Sequence, residues 1–140
     1  MAETKYGKYV MQHPIINLPH PHEAGKIWPS ISIDGEKDFH SDFSLVVLPV
    51  VEPVVMEDYA HAHDFDMYLT IIGFDPNGLN DLGAEIEMCF GEEEEKHIIT
   101  TPSSIYIPKG LVHCPMAFKR VEKPILLIHA TLASKYTKKQ

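Results

Sequence analysis

Two histidines stand one residue apart just before an apolar run. Residues 59–73 read YAHAHDFDMYLTIIG, so His61 and His63 precede a segment of Tyr, Leu, Thr and Ile that is typical of a β-strand. Successive side chains of a strand point to opposite faces, which places these two histidines on the same face. Two imidazoles side by side fill an apolar core poorly. They would hold a transition-metal ion well if a third ligand came from elsewhere in the chain.

The candidate third ligand is His113, in the sequence PSSIYIPKGLVHCP at residues 102–115. A short predicted strand ends at Pro108, and Gly110 permits the positive φ that a sharp turn needs. His113 follows three residues later and opens the next predicted strand. The reversal could direct its imidazole toward the interior, where the first two histidines are expected.

Short strands must position these side chains. Eleven prolines and eight glycines interrupt the chain at short intervals, and the segments between them are rich in Val, Ile, Leu, Tyr and Phe. Long helical patterns are absent from the sequence. The predicted strands cover residues 30–33, 43–50, 53–61, 66–73, 84–91, 97–100, 104–108, 114–120 and 124–132. This pattern predicts an all-β protein, either a sandwich or a barrel.

The pair His61-x-His63 before a strand that ends at Gly73, with Pro108-x-Gly110-x-x-His113 further along, resembles the two signature motifs of the cupin superfamily. The resemblance spans roughly residues 45–132. It implies a jelly-roll barrel, also called a double-stranded β-helix, with one divalent transition-metal ion such as Fe, Mn, Ni or Zn near one open end. We therefore expect an extended N-terminal arm at residues 1–40, a cupin barrel at 41–135 and a basic tail at 136–140.

Three positions depart from the cupin pattern. Met67 stands where the family usually has a glutamate ligand, Pro102 replaces a glycine, and Ala117 replaces an asparagine. Asp66 is a candidate fourth metal ligand, because counting back from the end of the strand puts it in the glutamate's position. The pleat alone would turn Asp66 away from the histidines, so a bulge would be needed.

Other residues are candidates for the substrate pocket or for a second site. Met67, Tyr68, Tyr106 and His129 are expected to line the pocket, although the tyrosines and His129 are also ordinary core residues on apolar strands. A second His-x-His pair lies in the sequence PHPHE at 19–23, next to Glu23. It lies among prolines without a strand to hold it, so a surface or dimer contact is the simpler interpretation.

Composition limits the classes of partner. Twelve basic and twenty acidic residues give a formal charge of −8, which disfavours nucleic acid and anionic membranes because phosphate binding needs a basic face. The first ten residues lack the apolar segment of a signal peptide, and a cytoplasmic location is expected. Cys89 and Cys114 are the two cysteines, and we expect both to be free thiols.

The first functional hypothesis is a metal-dependent enzyme. Three neutral histidines would leave the charge of the ion uncompensated, which favours a small anionic, oxygen-bearing substrate for dioxygenase, isomerase or decarboxylase chemistry. The alternative is a non-catalytic cupin that binds a small ligand, with or without metal. Apolar residues of the N-terminal arm, including Ile15, Ile16, Leu18, Ile27 and Trp28, favour a homodimer in either case.

Overall fold

The computed structural model describes residues 4–21 and 23–137 of the 140-residue chain. The described residues form ten strands, a 3₁₀ turn at Gly7–Tyr9 and a π-helical turn at Gly35–Phe39. The strands are β1 (Ile15–Pro19), β2 (Ile27–Ile33), β3 (Ser44–Val50), β4 (Val54–Glu57), β5 (Met67–Gly73), β6 (Ala84–Phe90), β7 (Glu95–Ile99), β8 (Ser103–Ile107), β9 (His113–Val121) and β10 (Ile125–Thr131). The prediction of an all-β protein is confirmed. Within the described residues, no helix is long and apolar enough to cross a membrane.

The strands make two antiparallel sheets. One sheet has six strands in the order β1-β2-β3-β10-β5-β8, and the other has four in the order β4-β9-β6-β7. Buried side chains from both sheets form one apolar cluster, which includes Leu69 and Ile71 of β5 together with Ile86 of β6 and Phe118 of β9. Burial of this cluster is the main stabilising contribution expected for a domain of this size.

The segment predicted to be an N-terminal arm contributes two strands to the larger sheet. Strands β1 and β2 pair as a hairpin, and β2 pairs with β3 at Ile33 and Leu45. The side chain of Trp28 in β2 also bonds to β3, because its Nε1 donates a hydrogen bond to the carbonyl oxygen of Pro49 at 2.6 Å. Strands β1 and β2 of the predicted arm are therefore part of the larger sheet.

The two central strands of the larger sheet are apolar on both faces. In β10, Ile125 and Leu127 are fully buried in the core. Ile128, which lies between Leu127 and His129, points to the opposite face of the strand and is half-buried. Strand β3 repeats this arrangement. A sheet that is polar on one side shows apolar-polar alternation, so this pattern indicates that the outer face of the larger sheet is also suited to burial.

We predict that Ile86→Ala lowers the free energy of unfolding by about 2–4 kcal/mol, because Ile86 is fully buried and truncation leaves a cavity between the sheets. The matched control is Ile98→Ala, since Ile98 lies on the neighbouring strand β7 and is 60% exposed. Urea denaturation measures both changes. Equal losses for the two variants would contradict the assignment of Ile86 to the core.

Candidate metal centre

A backbone contact brings His61 to His113. The amide of His61 donates to the carbonyl oxygen of His113 at 3.0 Å, and the amide of His113 donates to the carbonyl oxygen of His61 at 2.9 Å. The two residues therefore form an isolated antiparallel bridge. Residues directly opposite each other in such a bridge place their side chains on the same face.

A β-bulge follows this bridge on strand β9. His113 pairs with Phe90 and Met116 pairs with Met88, so Cys114 and Pro115 together face the single residue between Phe90 and Met88. Cys114 has a φ of 77°, in the left-handed region that non-glycine residues seldom adopt. An extra residue of this kind changes the direction of the side chains around it, so that His113, Cys114 and Met116 all face the interior cavity.

The three predicted histidine ligands lie together. Their ring centroids are 4.5 Å apart for His61 and His113, 4.9 Å for His61 and His63, and 5.0 Å for His63 and His113. All three side chains are at least 97% buried. The amide of Gly110 donates to the carbonyl oxygen of His63 at 2.9 Å, which connects the turn predicted from Pro108 and Gly110 directly to the histidine pair.

Each of the three imidazoles is held through its Nδ1 atom. His61 Nδ1 is 3.2 Å from the carbonyl oxygen of Tyr59, His113 Nδ1 is 2.9 Å from that of Leu111, and His63 Nδ1 bonds that of Thr137. A carbonyl oxygen only accepts hydrogen bonds, so in the neutral ring Nδ1 carries the proton and Nε2 carries the lone pair. This is the tautomer and the orientation that metal-ligating histidines have in proteins.

Burial keeps His113 in the neutral form that a ligand requires. Removal of the ring from water lowers the pKa of His113 to about 4. The nearby His61 and His63 lower it further, while the hydrogen bond to Leu111 opposes the shift. The lone pair of His113 is therefore available at neutral pH.

Cys114 is a donor that sequence reasoning missed. Ligand atoms of His61, His113 and Cys114 all lie within 4.8 Å of one another, and all three side chains are buried. His63 lies beside this set. On a regular strand Cys114 would point away from His113, so the adjacent His-Cys pair predicts a shared site only if the bulge is known.

Asp66 occupies a different environment from the histidines. Its Oδ1 accepts a hydrogen bond from the amide of Lys109 at 2.9 Å. Asp66 thus fastens the start of β5 to the turn after β8. The structure does not place Asp66 among the histidine ligand atoms. This agrees with the pleat of the strand, which turns Asp66 away from the histidines.

Tyr68 and Tyr106 are directly paired on neighbouring strands β5 and β8, with ring centroids 5.1 Å apart. They are 44% and 50% exposed, and they lie on the outer face of the larger sheet. The structure therefore does not bring these two predicted pocket residues into the cavity. Their neighbours in the pleat, Met67 and Leu69, point inward and line it.

The cavity beside the histidines has a volume of about 470 Å³, a size typical of small-molecule pockets. Met67 and His129, the other two predicted pocket residues, both line it. Most of the wall is apolar, and four methionines contribute to it. The lining residues are Leu18, Pro19, Pro21, Trp28, Ser44, Val46, Leu48, Met56, Glu57, His61, Met67, Leu69, Met88, His113, Cys114, Met116, Leu127, His129, Thr131 and Tyr136.

The first residues of the predicted basic tail pack against the site. The ring of Tyr136 lies 4.9 Å from that of His63 and 5.0 Å from that of His129, and burial raises the pKa of the Tyr136 hydroxyl. Thr137 supplies the carbonyl oxygen that orients His63. Residues 138–140 of the predicted tail lie outside the described residues.

The second His-x-His pair forms a separate, more exposed cluster. Ligand atoms of His20, Glu23 and Glu52 lie within 4.8 Å of one another, while His22 lies outside the described residues. Lys26 already compensates the two carboxylates, with Nζ 3.3 Å from Glu23 and 2.6 Å from Glu52. A surface ion-pair cluster explains this group without a metal.

Solved structures of similar fold include several metal-dependent enzymes. Iron(II) HppE shares 15% identity, with 84% of this chain and 55% of HppE covered and a TM-score of 0.51. The polyketide cyclase RemF from Streptomyces resistomycificus shares 11% identity over 100% of this chain and 85% of RemF, with a TM-score of 0.56. Oxalate decarboxylase from Bacillus subtilis, described with Mn(II) centres, shares 13% identity over 90% of this chain and 30% of the enzyme, with a TM-score of 0.57.

These likenesses establish a shared fold. No protein-family model matches the sequence, and no curated protein is significantly similar to it. The chain spans about half the length of HppE and less than a third of oxalate decarboxylase, so the activities of those proteins are not transferred with the fold.

We predict that stability falls as the pH is lowered from about 6.5 toward 5 in the presence of a chelator. Burial lowers the pKa of His129 to about 4, so the unfolded chain takes up a proton in this range while folded His129 does not. The difference amounts to at most about 3 kcal/mol for this residue. His113 contributes in the same direction, so His129→Gln should reduce the pH dependence without abolishing it.

Urea denaturation at several pH values measures this dependence. His97→Gln is the matched control, because the His97 side chain is 53% exposed and forms a surface ion pair with Glu95. The dependence should be unchanged in that variant. An unchanged dependence in His129→Gln as well would show that His129 is accessible to protons in the folded state.

Proposed function

Because this chain has the cupin fold, we propose that it holds one divalent transition-metal ion at His61, His63 and His113 and uses it to act on a small organic substrate. The single observation that carries the proposal is the hydrogen bonding of the three rings. Each Nδ1 is paired with a backbone carbonyl, which leaves Nε2 as the ligand atom of each ring, and the three ring centroids lie within 5.0 Å of one another. A divalent cation beside the three rings would be bound by these nitrogen atoms.

The donor set fits the metals expected from the sequence. Imidazole nitrogen is a good ligand for Fe, Ni and Zn, and Mn is accommodated where oxygen donors complete the coordination. Iron and manganese are the first candidates, because HppE is described with Fe(II) and oxalate decarboxylase with Mn(II). The neutral state of His113 supports the same proposal, since no proton has to be displaced at neutral pH.

The cavity indicates what kind of substrate would reach the centre. Among the described residues that line it, there is no lysine or arginine, and Glu57 is the one carboxylate. A small diacid would find no cationic partner in this wall. We propose a substrate with an apolar body and one oxygen-bearing head, and any negative charge on that head would lie against the metal.

The residues around the centre would bind and orient such a head. A bound divalent ion would supply Lewis acidity to polarise a substrate oxygen, or with iron would allow oxygen chemistry. The hydroxyl of Thr131 is buried in the cavity wall and has no hydrogen-bond partner within the described residues, so it can donate to a polar substrate group. Trp28, Leu18 and the methionines would exclude water from the body of the substrate.

A non-catalytic binding function is the second candidate. The specific observation that favours it is the small number of titratable side chains in the described cavity wall beyond His61, His113 and Cys114. Glu57, His129 and Tyr136 are the further titratable groups in the wall. Burial lowers the pKa of His129 to about 4 and raises the pKa of Tyr136, so both are neutral and poorly suited to proton transfer at neutral pH.

We predict that protein purified without added metal contains close to one equivalent of a divalent transition metal, and that His113→Ala loses most of it. The loss follows from removing one of three buried nitrogen ligands. Elemental analysis by mass spectrometry gives the stoichiometry. His97→Ala is the matched control and should keep the metal, because His97 lies on the surface of β7.

Activity separates the two functions once metal is established. Oxygen consumption and product analysis with apolar enols, phenols and keto acids would reveal an enzyme. A protein that binds metal and these compounds but converts none of them would be a binding module. Wild-type protein that takes up no metal from Fe(II), Mn(II), Ni(II) or Zn(II) would contradict the metal proposal itself.

The outer face of the larger sheet supports a homodimer. Ile15, Ile31, Val47 and Ile128 oppose one another in register, and they form one apolar row across strands β1, β2, β3 and β10. Ile15 and Ile31 are 57% and 45% exposed in the single chain. A continuous apolar face of this kind is more typical of an interface than of a monomer surface, and a second copy of the same sheet would cover it.

We predict a dimeric mass in solution for the wild-type protein and a monomeric mass for Ile128→Lys, since a lysine buried in this row would oppose association. Light scattering after size-exclusion chromatography measures the mass. The control is Ile98→Lys, which puts the same change on the exposed face of the four-stranded sheet and should leave the dimer intact. A wild-type monomer at micromolar concentrations would contradict the proposal.

A further inference from the structure

The geometry points to Cys114 as a protein ligand of the proposed metal ion, in place of the carboxylate that the sequence lacks. The inference rests on the proposed metal-binding function and adds a sulfur donor to it. Sγ of Cys114 and ligand nitrogens of His61 and His113 lie within 4.8 Å of one another. One ion bound to all three would need little rearrangement, since metal–sulfur distances are about 2.3 Å and metal–nitrogen distances about 2.1 Å.

The backbone conformation of Cys114 supports a functional role for the direction of its side chain. A φ of 77° at a residue with a side chain is unfavourable and persists where the surrounding structure enforces it. Here the bulge enforces it, and the consequence is that two consecutive residues, His113 and Cys114, both face the cavity. Without the bulge only one of them could contribute to the centre.

The other cysteine provides an internal comparison. Cys89 lies on β6 between Met88 and Phe90, and it is buried to nearly the same extent as Cys114, with 7% and 4% exposure. Met88 lines the cavity, whereas Cys89 points to the opposite face of its strand and does not line it. Burial alone therefore does not distinguish the two thiols, and only Cys114 lies beside histidine nitrogens.

Charge gives the physical reason for a thiolate at this position. Three neutral imidazoles would leave a divalent ion with its full charge inside an apolar cavity, which is costly. Cys114 would bind as the thiolate, its proton passing to solvent as the sulfur–metal bond forms, and the charge of the centre would fall to +1. Met67, which stands where cupins usually have a glutamate, cannot supply this charge.

A soft sulfur donor also alters the expected metal preference. Thiolate favours zinc, iron and cobalt over manganese, which prefers oxygen ligands. Competition between Zn(II) and Mn(II) should therefore favour Zn(II) strongly in the wild type. Cys114→Ser replaces the sulfur by a hard, weakly binding oxygen and should reduce that preference.

Cobalt(II) substitution under anaerobic conditions tests the inference directly, without using activity. Wild-type protein should bind one equivalent of Co(II) and show the near-ultraviolet absorption of sulfur-to-cobalt charge transfer. Cys114→Ser should lose this band and bind Co(II) at least about tenfold more weakly. Cys89→Ser is the matched control and should retain both the band and the affinity.

The outcomes separate this inference from the proposed function. Stoichiometric Co(II) binding without the charge-transfer band would overturn ligation by Cys114 and leave the histidine centre standing. No Co(II) binding at all would overturn both. X-ray absorption on wild-type protein loaded with Zn(II) covers the case in which Cys114→Ser does not fold, because a sulfur neighbour at about 2.3 Å is expected and its absence would refute the inference.

Discussion

The antiparallel contact between His61 and His113 is the interaction on which the candidate site depends. The two residues are distant in sequence, and reciprocal backbone hydrogen bonds place them opposite each other. The loop before β5 and the start of β9 are thereby held together at one end of the barrel. Because the contact is made by backbone atoms, the side chains remain available for a ligand, and the position of His63 follows from its place two residues beyond His61.

The surroundings of the centre orient these imidazoles and keep His113 neutral. Burial lowers the pKa of His113 to about 4, and the backbone carbonyls of Tyr59, Leu111 and Thr137 accept hydrogen bonds from the Nδ1 atoms. One of the three carbonyls comes from the C-terminal segment, so a residue far along the chain completes the site. An apolar cavity strengthens electrostatic interactions within it, which is why the charge brought by each donor matters more here than on the surface.

The composition of the larger sheet reflects the different surroundings of its two faces. Its inner face supplies Leu69 and Leu127 to the cavity wall and core, while its outer face carries an apolar row that a second copy could cover. The N-terminal hairpin extends both faces. Leu18 and Trp28 line the cavity from the inner face, and Ile15 and Ile31 continue the outer row. A segment that looked peripheral in sequence is thus part of the pocket.

Local pattern was enough to predict strands β2–β10 and the principal histidines, whereas the residues of β1 were predicted to be part of an extended arm. Alternation and turn residues predicted an all-β protein, and the two motifs predicted that His61, His63 and His113 would meet, which the structure shows as a group of rings within 5.0 Å. The departure at Met67 was also visible, since residue identity at a motif position needs no coordinates. Met67 and His129 were predicted to line the pocket, and both side chains line the cavity.

Tertiary structure decided which of the other candidate side chains face the cavity. Tyr68 is on a strand that borders the pocket and Tyr106 is on the strand next to it, yet the pleat turns both outward, and Asp66 holds the turn at Lys109. Cys114 joins the centre only because a bulge interrupts the two-residue period that a sequence pattern assumes. Sequence by itself determined strands β2–β10 and which histidines can meet, because these depend on local propensity and spacing. Only the folded chain decided the register between strands, and therefore which donor accompanies those histidines.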